Sequence, residues 1–215
     1  MVVGLGILGQ SIARTLAAEG AEVIAIDSDP TFIETVKDEV AMAVLGDSTD
    51  PKLLEQLGAR DLDVAIVCIG ENFAGAVLTT AHLLDLKVKH VATRATDALK
   101  ASIFKRMGSH EVFFVENEMG RQIAHRLQSP HLLHEMELGG GLTLVEWMTP
   151  DWMIGKKVAD LALRNQFQVQ IVAIRNPKIP EDVNSPTADT VIHAGQNLLL
   201  VGKMIDLNRL LDDQK

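Results

Sequence analysis

Three glycines, Gly4, Gly6 and Gly9, follow the apolar run Met1-Val2-Val3 and lead into Gln10-Ser11-Ile12-Ala13, which reads as the start of a helix. That spacing suits a strand–turn–helix able to cradle a pyrophosphate. Gly4 permits the tight turn, Gly6 lets the backbone approach the phosphates, and Gly9 lets the helix pack closely on the strand. The free amide groups at the helix start, with the backbone of Ile7 and Leu8, would face the phosphates, the positive end of the helix dipole behind them. A second group stands where ribose hydroxyls would need an acceptor. The apolar run Val23-Ile24-Ala25-Ile26 ends in Asp27, eighteen residues after Gly9. Ser28 and Asp29 follow, so a 2′-phosphate would meet acidic groups and no arginine, which disfavours NADP. The alternative is a degenerate turn that binds nothing; the strand before it and the carboxylate after it favour a nucleotide site.

These residues need a sheet to position them, and the chain supplies one. Asp29-Pro30 opens a helix through Ile33 and Val36; Ala41 to Leu45 is a third apolar run, closed by Gly46-Asp47-Ser48-Thr49; Asp50-Pro51 opens another helix that Gly58 stops. Leu62 to Ile69 reads as a fourth strand, with Ile69-Gly70 ending beside the same crevice. Asn72 caps a helix to about Leu84. His90 to Thr93 is a fifth strand, 97–107 a helix, and Val112 to Val115 a sixth strand. Strands apolar on both faces, alternating with amphipathic helices, make a parallel sheet covered on both sides. The expected class is α/β, a doubly wound dinucleotide-binding (Rossmann-type) fold. Only three residues precede the glycines, against about five or six in an ordinary strand, so the strand is expected to begin upstream or the chain to be trimmed.

Glu118 to Leu127 reads as one more helix, and 129–139 lose clear periodicity, which puts a domain boundary near 135. The remainder, 136–215, has the pattern of a small α+β domain. Leu142 to Trp147 alternates as a half-buried strand, Val158 to Leu163 is a short helix, and Val169 to Ile174 is a strand. A Pro-rich loop spans 177–186, with strands at Thr190–His193 and Asn197–Val201 and a closing helix over 205–211. A core of about 80 residues is close to the lower limit of self-sufficiency, so pairing with a second copy is expected.

Composition narrows the functional classes. A net charge of −9 over 215 residues argues against a nucleic-acid partner, since neutralising phosphates needs a basic face. No run approaches a membrane span, and Met1 enters a core strand directly, with no signal peptide expected. One cysteine, Cys68, fits a reducing cytoplasm; it lies in an apolar run and reads as core in preference to a redox group.

Taken together these segments resemble the RCK (regulator of K⁺ conductance) family, the regulatory subunits of Trk/Ktr-type bacterial potassium uptake systems. Beside the glycine motif, the resemblance is carried by Gly46-Asp47-Ser48-Thr49-Asp50, by Leu57 to Asp63, by Met107-Gly108-Ser109-His110, and by Glu116-Asn117-Glu118-Met119-Gly120. In the tail, Gly155-Lys156-Lys157 through Ala194 to Leu198 is similar to the family's C-terminal subdomain. The resemblance implies a Rossmann subdomain with a crossover helix over 1–135 and an RCK C-terminal dimerisation and ligand domain over 136–215. It further implies a homodimer assembling into a ring, of eight in many members, under a membrane potassium channel or transporter subunit at the inner face of the membrane. Exchange of adenine nucleotides, ADP or ATP, would change the ring's shape.

By the same resemblance Asp47 and Ser48 would reach the adenine edge; Asp47 as a turn residue or helix cap is the alternative. Arg94 would meet phosphates, or form an ordinary surface ion pair. Glu116 would help bind a divalent cation, or serve as a helix-N-terminal carboxylate. Ile7 departs from the family, which often has an arginine there to reach terminal phosphates; this leaves ADP, AMP and NAD(H) beside ATP as ligands. His125, His131 and His134 share no helix face and are expected to be solvated, not metal ligands. Trp147 and Trp152 suit the small domain's core or pairing surface. Relatives bind cyclic di-AMP on the C-terminal domain, where Leu163, Phe167, Ile171 and Ile174 would line the cleft or, as the preferred reading, form core. The competing function is an NAD(H)-dependent oxidoreductase, disfavoured by the small tail and the absence of tyrosine.

Overall fold

The computed structural model describes residues 1–128, 131–179 and 181–212. The chain divides into two compact units, Met1–Asn117 and Glu118–Lys215. The helix that the sequence reading grouped with the first unit therefore groups, from Glu118 onward, with the second.

In the first unit, strands β1 (Val2–Val3), β2 (Ile24–Asp27), β3 (Met42–Leu45), β4 (Val64–Val67), β5 (His90–Arg94) and β6 (Glu111–Phe113) form one parallel sheet. Its order is β3-β2-β1-β4-β5-β6. Register places Val2 opposite Ala25 and Ile66, and Val3 opposite Ile26 and Val67. Successive side chains of a strand point to opposite faces. Val2 and Ala25 accordingly pack in the layer with Ala13 and Val36, while Val3, Ile26 and Val67 pack in the layer with Leu54, Leu83 and Phe104. Both faces are buried, so these strands read as continuous apolar runs without alternation. The short first strand is extended in its ladder by Met1, whose carbonyl accepts from the Ile66 amide at 2.9 Å.

The covering helices are α1 (Ile7–Ala18), α2 (Pro30–Val36), α3 (Pro51–Gln56), α4 (Phe73–Asp85) and α5 (Ala98–Met107). Four of them start on a side chain that accepts from their own first turn: Asp29 for α2, Asp50 for α3, Asn72 for α4 and Asp97 for α5. Such caps satisfy amide groups that the helix leaves unpaired. The sixth strand ends at Phe113, earlier than expected, because Val115 already begins α6 (Val115–Gln128).

The second unit holds an antiparallel sheet, β10-β9-β11-β8-β7, built from β7 (Leu132–Gly139), β8 (Leu142–Met148), β9 (Gln170–Arg175), β10 (Val183–Asn184) and β11 (Asn197–Lys203). Beside it are α7 (Val158–Leu161), α8 (Leu163–Phe167) and α9 (Met204–Asp212). Its own core gathers Val145, Trp147, Met153, Leu161, Leu198, Leu200 and Leu207. Three expectations are corrected here. The stretch thought aperiodic is the strand β7, whose pairing with β8 slips at Leu132/His134 and at Glu137/Gly139; each bulge resets the alternation, which hides the period. The expected helix to Leu163 breaks at Ala162, which has φ 46°. Thr190–His193 is not a strand but meets the 155–158 segment through one isolated bridge, Lys157 with Val191, while the loop at 177–186 contains β10. Among the described residues no helix is long and apolar enough to cross a membrane.

Candidate functional site

In an open sheet of this order, ligands bind at the carboxyl ends of the strands where the winding reverses, between β1 and β4. A cavity of about 510 Å³ lies there. Gly4, Gly6, Asp27, Ser28, Asp47, Ser48, Ile69, Gly70 and Arg94 line it, so most of the residues singled out in the sequence come together.

Each glycine of the turn has a distinct reason to be there. Gly4 has φ +87°, and a Cβ on it would stand 3.0 Å from the Ile69 nitrogen. On Gly9 a Cβ would lie 1.9 Å from the Gly4 carbonyl oxygen, an overlap no side chain survives, so Gly9 is where helix and strand touch. Gly6 has open space around it and faces the cavity. Unlike the four capped helices, α1 starts without a side-chain cap; like them it has no acidic residue in its first turn. Its amide groups and dipole are left for an anion. Gly9 lies in the helix–strand contact, outside the cavity wall, and the Ile7 side chain is 94% exposed. Leu8 packs into the layer with Ile12 and Leu16. Neither Ile7 nor Leu8 lines the cavity.

Asp27 is held firmly. One carboxylate oxygen accepts from the Leu5 amide at 2.6 Å and the other from the Asp29 amide at 2.9 Å. This ties the end of β2 to the glycine turn while leaving lone pairs for ribose hydroxyls. Asp47 is a turn residue that also lines the cavity. Its Oδ1 accepts from the amide and hydroxyl of Thr49 at 2.9 and 2.7 Å, which holds its carboxyl below the usual carboxylate range, and it lines the cavity. Ser48 is 7% exposed and its hydroxyl lies 2.9 Å from that of Thr79 on α4. That contact anchors the loop to the helix and leaves the hydroxyl further hydrogen-bonding capacity. Burial pushes the Cys68 thiol up to about 12, against the opposing charge of Arg94, so it stays neutral and serves as wall and core.

Arg94, at the end of β5, is the one cationic side chain lining the cavity among the described residues. It crosses Gly70 so closely that a Cβ there would lie 2.7 Å from its Nη1. Its Nη2 donates to Glu116 in the first turn of α6, and the Arg94 guanidinium holds the Glu116 carboxyl below the usual range. Glu116 is therefore engaged by an arginine. Among the described residues no group of three His, Cys, Asp or Glu side chains has the arrangement of a metal site. The donor set here does not fit a divalent ion, which wants about six oxygens. Residues that sequence reasoning missed also line the cavity: Phe32, Thr49, Glu71, Asn72 and Gly75. Asn72 carried a visible signal, its place as the cap of α4, and Thr49 and Glu71 directly follow Ser48 and Gly70 in the chain; Phe32 and Gly75 became neighbours through the strand order.

The TrkA-N domain family matches residues 1–115 and the TrkA-C domain family matches 142–213. The chain belongs to the RCK family of TrkA-N and TrkA-C proteins. The Ktr system potassium uptake protein C of Bacillus subtilis (strain 168) is 35% identical over 208 residues, covering 97% of this chain and 93% of that protein. The structure titled GsuK Channel superposes with a TM-score of 0.70 at 16% identity, covering 97% of this chain and 38% of that one. The GsuK channel bound to NAD gives 0.64 at 14%, covering 96% and 37%. These likenesses bear out the RCK fold, a Rossmann-type sheet followed by a separate antiparallel domain.

In the second unit, Leu163, Ile171 and Ile174 are buried in the core and Phe167 packs against it, the preferred reading of those residues. Trp147 is buried in the same core, with Trp152 packed on its margin. His131 and His134 are exposed; the side chain of His125 lies outside the described residues, as do Ser129 and Pro130.

Proposed function

We propose that this RCK chain is the nucleotide-sensing regulatory subunit of a Ktr- or Trk-type potassium uptake system. The observation that carries the reading is the cavity at the β1/β4 reversal, where the uncapped start of α1 and the tethered Asp27 face one space. That pairing suits a nucleotide's phosphates and ribose. ADP, AMP and NAD(H) are favoured over ATP, because Ile7 offers no cation for a terminal phosphate and four carboxylates, Asp27, Asp29, Asp47 and Glu71, line the wall. The match along nearly the whole length to a Ktr system potassium uptake protein supports the transport role, and the GsuK channel bound to NAD supports a nicotinamide dinucleotide as one occupant.

In this reading the protein works on the cytosolic face of the membrane, docked to a potassium channel or transporter subunit, as a homodimer assembling into a ring of eight. The exposed stripe Met119, Ile123 and Leu127, repeating every four residues along α6, supplies an apolar face for pairing. Ligand exchange shifts the ring by no more than the difference in binding free energy between its two shapes. The chain is not an enzyme. The likeness along nearly the whole chain to a Ktr system potassium uptake protein supports that reading, and the Cys68 thiol in the cavity wall stays neutral.

Calorimetric titration with ADP, ATP, AMP, NAD and NADH, beside light scattering for mass, tests this. Binding without turnover and a ligand-dependent hydrodynamic shape are expected. A monomer indifferent to every purine compound would overturn the proposal, and hydride transfer followed at 340 nm would replace it with an oxidoreductase.

A further inference from the structure

Arg94 is already occupied. Its Nη2 is spent on Glu116, its Nη1 lies over Gly70, and its Nε is buried with no partner. The two side chains differ in their surroundings: Arg94 is 22% exposed against the cavity, whereas Glu116 is 52% exposed and outside the cavity wall. A phosphate entering from the α1 side would find one cation, and that cation paired.

Accepting the nucleotide reading above, we infer that Glu116 is a competitive internal ligand for Arg94, displaced when a phosphate-bearing nucleotide fills the cavity. Phosphate oxygens and the Glu116 carboxylate seek the same planar donor fork, and a guanidinium offers its strongest geometry to one such group at a time. The unpartnered Nε, buried while the guanidinium lies against Glu116, becomes a further donor for a phosphate once the side chain turns. Once Arg94 turns to the phosphate, Glu116 is left as a solvated carboxylate in the first turn of α6, where the helix dipole makes a free negative charge tolerable. The pair thus sets a threshold on anionic charge: adenosine leaves it closed, and a diphosphate opens it. Gly70 is what allows the arrangement, since any side chain there would displace the guanidinium.

The test is calorimetry on the full chain, in EDTA throughout so that no divalent ion bridges Glu116 to phosphate, with ADP and adenosine as probes. Glu116→Gln is expected to tighten ADP by about two- to fivefold, the range of a partly exposed ion pair, and to leave adenosine unchanged. In an Arg94→Gln background the same change should give no gain, which separates competition for Arg94 from a general loss of negative charge. An ADP affinity unmoved or weakened by Glu116→Gln, or a gain that persists without Arg94, overturns the inference while the nucleotide site stands. If the unaltered protein binds neither probe, both readings fall. Circular dichroism of each variant confirms that the comparison is between folded proteins.

Discussion

At the scale of single residues, Asp27 carries two duties that separate by substitution. Asp27→Asn keeps one oxygen for the Leu5 amide and removes the charge and one acceptor that ribose hydroxyls would use. A hydrogen bond to a charged group contributes roughly 1.5 kcal/mol, so affinity for every ribose-bearing ligand is expected to fall about tenfold, beside a separate loss of stability because the Asp29 amide, 2.9 Å from the other carboxylate oxygen, meets the new NH2 group. Gly9→Ala acts the other way. The added methyl would overlap the Gly4 carbonyl, and about 3 kcal/mol of stability should be lost, read as a lower urea midpoint of the first unit. Acidity gives a third readout. Thr49 holds Asp47, and Arg94 holds Glu116, below their ordinary values of 3.8 and 4.5. A carboxylate with a depressed folded pKa stabilises the fold above its ordinary value and loses that contribution as pH falls through the depressed one. The urea midpoint should therefore drop on acidification below about pH 4.5, and Arg94→Gln should flatten part of that fall. Both groups are solvent-exposed, which keeps the effect small.

At the scale of elements, the helices of the first unit depend on caps written locally into the sequence. Asn72→Ala removes the acceptor for the Gly75 amide at 2.9 Å and should cost about 1 kcal/mol, visible as faster amide exchange in the first turn of α4. Such signals explain what was legible. Asp29-Pro30 and Asp50-Pro51 mark two helix starts outright, and the apolar runs of a sheet buried on both faces mark its strands. What escaped were elements whose cues are not local. The strand β7 carries two bulges that erase its alternation, and α7 ends on Ala162 in a left-handed conformation where a glycine would have announced the break. The site was legible in the same measure. Gly4, Gly6 and Asp27 follow from spacing within one β–α–β stretch. The meeting of Arg94 with Glu116 depends on β5 lying beside β6 with Arg94 opposite Phe113, a long-range fact. Ser48 reads as a cavity residue because its loop is at the right strand end; that its hydroxyl also meets that of Thr79, 31 residues on, no spacing reveals.

At the scale of the whole molecule, two units with separate cores should unfold as two events. The second unit depends on a polar knot within its sheet. Glu146, largely buried on β8, receives Arg175 from β9 and the Asn197 amide from β11 at 2.7 Å. Glu146→Ala leaves the buried Asn197 amide without its acceptor and the partly exposed Arg175 guanidinium without its partner, which should cost about 2 kcal/mol and lower the melting of that unit alone. Adenine nucleotide, by contrast, should raise the melting of the first unit, by about 2.7 kcal/mol of stabilisation at a hundred times its dissociation constant. The means of telling the two events apart is built in. Trp147 and Trp152 both belong to the second unit, and the chain contains no tyrosine. Its intrinsic ultraviolet emission thus reports on one half only. A spectral change on filling the glycine-turn cavity would show the second unit responding to the occupancy of the first, a built-in optical gauge of whether the halves communicate.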